Sequence, residues 1–238
     1  NYKSRQAGRA IRYNTRFDND SRYSGVRSLL TTGNYFNADF GYHVIPTQYD
    51  VFDNDAFNSN PMAFIAVCTD VETGQAVYRQ LDKADDECYD YIRASASMPL
   101  VSKVVELGGL KLLDGGVSDS IPLEYFESIG YSRNVVILTQ PLGYRKAHNR
   151  LMPLMRMSLH KYPKMIQAMD ERHVMYNKQL NYVIQAEREG RCLVIRPDEK
   201  IPIGHICHDA DQMRHVYNLG RQVGEQYIDK IQAFYNKS

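Results

Sequence analysis

Hydrophobic positions along the chain gather into short runs separated by longer amphipathic stretches. Residues 64–69 (Phe-Ile-Ala-Val-Cys-Thr) are nearly continuous in apolar character and of strand length, the pattern of a strand covered on both faces. Residues 70–74 read as a turn, and residues 75–81 alternate enough for a second, antiparallel strand. Residues 104–107 and 110–113 flank Gly108-Gly109, which reads as a hairpin turn and puts Asp114 at the end of the second arm. Residues 135–139 and 192–196 are further buried strands.

Helical spacing occupies much of the remainder. Residues 2–13 read as the end of a helix with Gly8 near its stop, and residues 28–30 and 53–57 as short helices in an otherwise polar and aromatic stretch, 14–60, punctuated by Pro46 and Pro61. Residues 85–96 form a helix leading to Pro99, and residues 122–129 one closed by Gly130. Residues 151–189 are helical but broken near Pro163, and residues 209–235 form a terminal helix with Asp209 as its N-cap or first-turn acid. Strands alternating with helices predict an α/β fold with a mostly parallel central sheet and helices on both faces. On this reading residues 64–69, 135–139 and 192–196 share one sheet, with Asp114 at its rim.

A chain of 238 residues suits one domain. Hydrophobic residues at 43% and charged residues at 24% are ordinary for a globular protein. A net charge of +1 gives no bulk attraction to nucleic acid. No apolar run approaches the ~20 residues that span a bilayer. Cys68, Cys88, Cys192 and Cys207 are widely spaced and form no C-x-x-C, which fits reduced thiols in the cytoplasm better than a disulfide scaffold.

The densest chemical signal is Leu113-Asp114-Gly115-Gly116-Val117. A carboxylate at the C-terminal end of a strand lies at a sheet rim, where α/β proteins build sites. Two glycines after it permit a turn with φ > 0 or a close approach by another backbone. The same five residues also suit a solvated Asp-Gly turn between strands. Neighbouring segments favour a site. Arg93-Ala94-Ser95-Ala96-Ser97-Met98-Pro99 lies upstream, and Ser118-Asp119-Ser120-Ile121-Pro122 and then residues 135–146 lie downstream. In that order they resemble the patatin-like phospholipase family, most closely its bacterial branch. Arg5-Gln6-Ala7-Gly8-Arg9, Thr69-Asp70-Val71-Glu72-Thr73-Gly74 and Val194-Ile195-Arg196-Pro197 extend the likeness over nearly the whole chain.

The resemblance implies a three-layer α/β/α domain over residues 1–238 and hydrolysis of lipid acyl esters by a Ser-Asp dyad without metal or cofactor. It assigns the general base to Asp114 and the shape of its turn to Gly115 and Gly116. It also implies that the 14–60 stretch packs over the site. The family's serine sits in a G-x-S-x-G elbow behind a glycine-rich oxyanion loop, and this chain contains neither. Gly116-Val117-Ser118-Asp119-Ser120 comes nearest but lacks the final glycine and follows the Asp motif. In the family Arg5-Gln6-Ala7-Gly8-Arg9 falls just after the elbow. The chain thus reads as patatin-like sequence without its first strand, oxyanion loop and nucleophile, and by itself as inactive. An oxyanion donor is commonly worth ~10²–10³ in rate, so its absence counts as heavily as that of the serine. The rival reading is a non-catalytic lipid-binding or interaction module that keeps the fold.

Other chemistry is sparser. Ser118 reads as a turn-stabilising hydroxyl. His205-Ile206-Cys207-His208-Asp209 has metal-capable side chains but no second pair at ligand spacing, and reads as a loop before the last helix. Six of the nine methionines fall at 152, 155, 157, 165, 169 and 175, among Arg156, His160, Lys161, Lys164 and Arg172. That stretch is either an amphipathic helix packed on the sheet or an acyl-chain wall with peripheral membrane contact. The pattern carries no signal for an oligomeric state.

Overall fold

Short turns decide how the strands pair. In the computed structural model, which describes residues 9–17, 20–204 and 207–236, β1 (Phe64–Asp70) and β2 (Ala76–Leu81) are joined through Gly74 at a left-handed φ of 71°. β3 (Val105–Leu107) and β4 (Leu110–Asp114) meet at Gly108 and Gly109, with φ of 60° and 77°. Two residues in that region make the tight turn whose twist suits a hairpin, and a loop so short joins only antiparallel neighbours. The resulting sheet has the order β2-β1-β4-β3 and is antiparallel throughout. β5 (Asn134–Ile137) and β6 (Cys192–Ile195) form a separate parallel pair, joined by the long helical connection that parallel strands require.

The helices are α1 (Arg9–Phe17), α2 (Val26–Thr32), α3 (Asn54–Asn58), α4 (Asp86–Ser95), α5 (Leu123–Ser128), α6 (Met152–Ser158), α7 (Pro163–Arg188), α8 (Ala210–Gln226) and α9 (Ile228–Asn236). Aspartates start three of them. Asp53 accepts from the Ala56 amide, Asp85 from Cys88, and Asp209 from Asp211 and Gln212, each satisfying amides that the first turn leaves open. Pro163 separates α6 from α7, as its missing N–H predicts.

Several expectations need correction. The single, mostly parallel sheet gives way to two sheets. Residues 64–69 pair with β2 and β4, while residues 135–139 and 192–196 pair with each other. The hairpin glycines account for the β1–β2 and β3–β4 pairings. The first helix runs on to Phe17; Gly8, its expected stop, lies outside the described residues. A π-helix at Phe40–Tyr49 was not foreseen. It contains Pro46, which cannot donate to the ordinary four-residue ladder.

The chain divides into two compact units. One combines Asp20–Ser120 with Ala147–Tyr176 and contains the four-stranded sheet. Consecutive residues of β4 point to opposite faces. Leu112 packs with Ala66, Cys88, Tyr91 and Ala94, the last three from α4. Leu113 packs with Val71, Val117, Met152 and Met155 of α6, and Met165 and Met169 of α7. The other unit combines Asn1–Asn19, Ile121–Lys146 and Asn177–Ser238. Its parallel pair buries Val136 and Val194, and Leu180, Val183 and Ala186 of α7 are buried there too. Tyr182 and Arg191 both donate to Glu127.

Leu112 is fully buried. Leu112→Ala should lower the unfolding free energy by about 2–5 kcal/mol, read as a drop in the urea midpoint with the slope unchanged.

Candidate active site

Asp114 ends β4 and caps a single turn of 3₁₀-helix at Gly115–Val117. Its backbone is held on both sides. The Asp114 amide donates to the Ser97 carbonyl at 2.9 Å. Its carbonyl accepts from Thr69 Oγ1 at 2.7 Å. Thr69 has one hydroxyl proton and gives it to that carbonyl, so Ser118 Oγ, 2.8 Å away, is the donor to Thr69. Ser118 is thereby the turn-stabilising hydroxyl that its position suggests. Among the described residues no serine hydroxyl bonds the Asp114 carboxylate.

Gly115 is required for space, and Gly116 is tightly surrounded. Neither lies at positive φ, which corrects one of the two sequence readings. A Cβ on Gly115 would stand 2.1 Å from the Val67 carbonyl oxygen and 2.4 Å from its carbon. These are backbone atoms of β1 and cannot swing aside. A Cβ on Gly116 would meet Asp114 Oδ1 at 3.0 Å and Arg172 Nη2 at 3.2 Å. Gly116 turns its amide onto Asp114 Oδ1 at 2.7 Å. Its carbonyl accepts from Ser120 Oγ at 2.6 Å and from Arg172 Nε at 2.6 Å.

Burial raises the Asp114 carboxyl above its ordinary pKa; the Gly116 amide and the Arg172 charge pull the other way without cancelling it. The carboxylate acts on its surroundings in turn. Cys68, its partner across the ladder, is pushed up to about 12 by burial and then by the Asp114 charge. Tyr42 is raised chiefly by burial, with Arg93 lowering it and Asp114 raising it. Tyr42, Arg93 and Ser97 line a cavity of about 330 Å³, with Phe36, Met98 and Lys103 among its other walls and no acidic residue. Asp114 does not itself line this cavity, yet its amide is fixed to Ser97, which does.

The model of the patatin-like phospholipase family matches residues 3–127, slightly more than half the chain. The chain belongs to the patatin-like phospholipases. Membership brings an α/β fold and places the chain among lipid acyl hydrolases. A second model, the domain of unknown function DUF6363, matches residues 162–236. No curated protein matches the chain. Within the patatin-like match lie Asp114, Gly115, Gly116 and the cavity residues. Arg172 comes from the stretch that matches the second model, so the turn that carries Asp114 draws on both.

Sequence reading missed Thr69, Ser97 and Arg172. Each acts through backbone atoms of the Asp114 turn, a role that residue type does not announce. His205 and Ile206 lie outside the described residues, and among those described no cluster of His, Cys, Asp or Glu could hold a metal. Met152, Met155, Met165 and Met169 are buried in the core, so for these four the packed-helix reading is correct.

Gly115→Ala should disrupt the turn and cost several kcal/mol, because a backbone carbonyl must move to admit the methyl group; a drop in melting temperature measures it. A second expectation concerns pH. Burial holds the Asp114 pKa above its unfolded value, so the native state binds that proton more tightly. The stabilisation is fully present below about pH 3.9 and is lost as pH rises through the folded pKa. Asp114→Asn, which mimics the protonated form, should therefore melt no lower than the native chain near neutrality, with any margin closing on acidification. A native chain that is clearly the more stable at neutral pH would show that the Gly116 and Arg172 contacts outweigh burial.

Proposed function

We propose that this chain carries the base of a Ser-Asp dyad that hydrolyses lipid acyl esters, with Asp114 as that base. The observation that carries the reading is a carboxylate made more basic by burial yet fixed in place by the Gly116 amide. A base raised toward the working pH is better matched to accepting a proton. Gly116 occupies Oδ1, which leaves Oδ2 for the serine proton. The serine comes from residues other than these 238, which hold no G-x-S-x-G. Its Oγ attacks the ester carbonyl and its proton passes to Asp114. Asp114 returns that proton to the departing alcohol. Water then attacks the acyl-serine and gives its proton to Asp114; the bond from the acyl carbon to Oγ breaks, Asp114 passes that proton to Oγ, and the fatty acid leaves with serine and carboxylate restored. The chemistry needs no metal or cofactor. Gly115 and Gly116 keep the carboxylate uncrowded, and the cavity beside Ser97 and Tyr42 receives the substrate. Its volume is at the lower end for small-ligand pockets.

Four free thiols support a reducing, cytoplasmic setting. Among the described residues no helix is long and apolar enough to cross a membrane. We place the protein at the membrane surface, where its substrate resides. The absence of an elbow serine from these residues also favours a second reading, a lipid-binding module that has kept the patatin-like fold and lost the chemistry.

Three measurements separate these readings. The 238-residue chain alone should give no burst of nitrophenol from a p-nitrophenyl acyl ester; a burst abolished by Ser118→Ala would place the nucleophile here. In the protein that includes the serine elbow, Asp114→Asn should cost about 10²–10⁴-fold in kcat, the range of a lost general base. Near-normal turnover in the folded variant removes Asp114 from the mechanism. If no elbow-containing form turns over any lipid ester, the module is the better reading. Arg172→Gln in the active form should shift the acid limb of the kcat/KM profile to higher pH, since the Arg172 charge lowers the Asp114 pKa.

A further inference from the structure

Helix α6 is apolar on more than one side. Its inner face, Met152 and Met155, continues to Leu159 and packs in one cluster with Leu113 and Val117, the residues that flank the Asp114 turn. Leu151, Leu154 and Met157 step three residues at a time along another side and stand 55%, 46% and 69% exposed. Isolated exposed apolar residues need no explanation; an aligned row of three on a helix whose opposite side is already buried does.

Charge along this stretch of the chain is one-sided. Between Glu127 and Asp170 the chain has no acidic residue and seven lysines and arginines, although its overall net charge is only +1. Arg150 immediately precedes the row and Lys161 and Lys164 follow it, all exposed. Arg156 is partly neutralised by Asp170 at 3.2 Å, and His148 Nε2 lies 2.7 Å from the same carboxylate. An exposed apolar row flanked in the chain by exposed Arg150, Lys161 and Lys164 matches a layer with acyl chains beneath anionic headgroups. A second protein surface would have to supply both a groove and concentrated negative charge.

We propose that the Leu151, Leu154 and Met157 side of α6, with Arg150 and Lys161, docks the protein on anionic lipid. This rests on the lipid-hydrolase reading only in its choice of partner. The same helix that enters the headgroup layer packs inwardly against the Asp114 turn, which sets the site close to the surface that supplies its substrate.

The test is co-sedimentation of the full 238-residue chain with vesicles of ether-linked phosphatidylcholine, alone or mixed with phosphatidylglycerol. Ether lipids contain no acyl ester, so binding is read independently of hydrolysis. The chain should pellet with the mixed vesicles, weakly with phosphatidylcholine alone, and less as salt is added. Leu154→Glu combined with Met157→Glu should reduce partitioning more than about tenfold, and Lys161→Glu alone roughly tenfold. Met62→Glu, at an equally exposed apolar position in the same unit, should bind as the native chain does. Circular dichroism checks each fold; if the double glutamate variant does not fold, Arg150→Glu with Lys161→Glu decides in its place. Equal binding to both vesicle types, undiminished binding by the α6 variants, or an equal loss with Met62→Glu overturns the proposal. So does a dimer in solution that the α6 variants dissociate while vesicles bind nothing. Failure here with Asp114→Asn still inactivating leaves the dyad standing; the converse leaves the docking face standing.

Discussion

The approach of Gly115 to the Val67 carbonyl is the constraint around which the candidate site is arranged. Two backbones come so near that no side chain fits between them. The 3₁₀ turn therefore lies directly against β1, and the Asp114 carboxylate leaves the sheet at a place fixed by main-chain geometry. Hydroxyls complete the fixation, as Ser118 bonds Thr69 and Thr69 bonds the Asp114 carbonyl. Arg172 holds the far side through Gly116. A carboxyl group whose pKa is raised by burial keeps that shift only in such a rigid setting, because relaxation that admitted water would lower the pKa again.

The division of β4 between its faces gives the site its two kinds of neighbour. Leu112 commits one face to α4, whose C-terminal end leads into Ser97 and the cavity. Leu113 commits the other to α6 and α7, from which Arg172 comes. The Asp114 turn at the end of β4 thus has a cavity of about 330 Å³ toward one side and the Arg172 guanidinium on the other.

Most elements were legible in the sequence because their signals are local. Gly108-Gly109 announced the hairpin, Asp209 the start of the terminal helix, and Pro163 the break before α7. The Asp-Gly-Gly motif stands out in the sequence, and at Gly115 the backbone of Val67 leaves no room for anything larger. Sheet assembly was less legible. Apolar runs at 64–69, 135–139 and 192–196 look alike, and nothing in a run of Val, Ile and Leu states which neighbour it will bond. The π-helix escaped notice because Phe40–Tyr49 has no helical periodicity and contains Gly41 and Pro46, which read as loop residues. Thr69 and Arg172 were invisible as site residues because each contacts the turn over a long sequence separation.

The thiols have a practical corollary. Cys68 sits opposite Asp114 and is driven up to about 12, and Cys192 to about 11, chiefly by burial. Cys88 is also buried and raised. Thiolate is the species that alkylating reagents attack, so these three sulfurs are shielded both sterically and electronically. Cys207 alone among the four is partly open to solvent. A maleimide dye would therefore attach at a single point ahead of α8, away from the carboxylate turn in sequence, and give a fluorescent reporter on the native chain without any engineered cysteine.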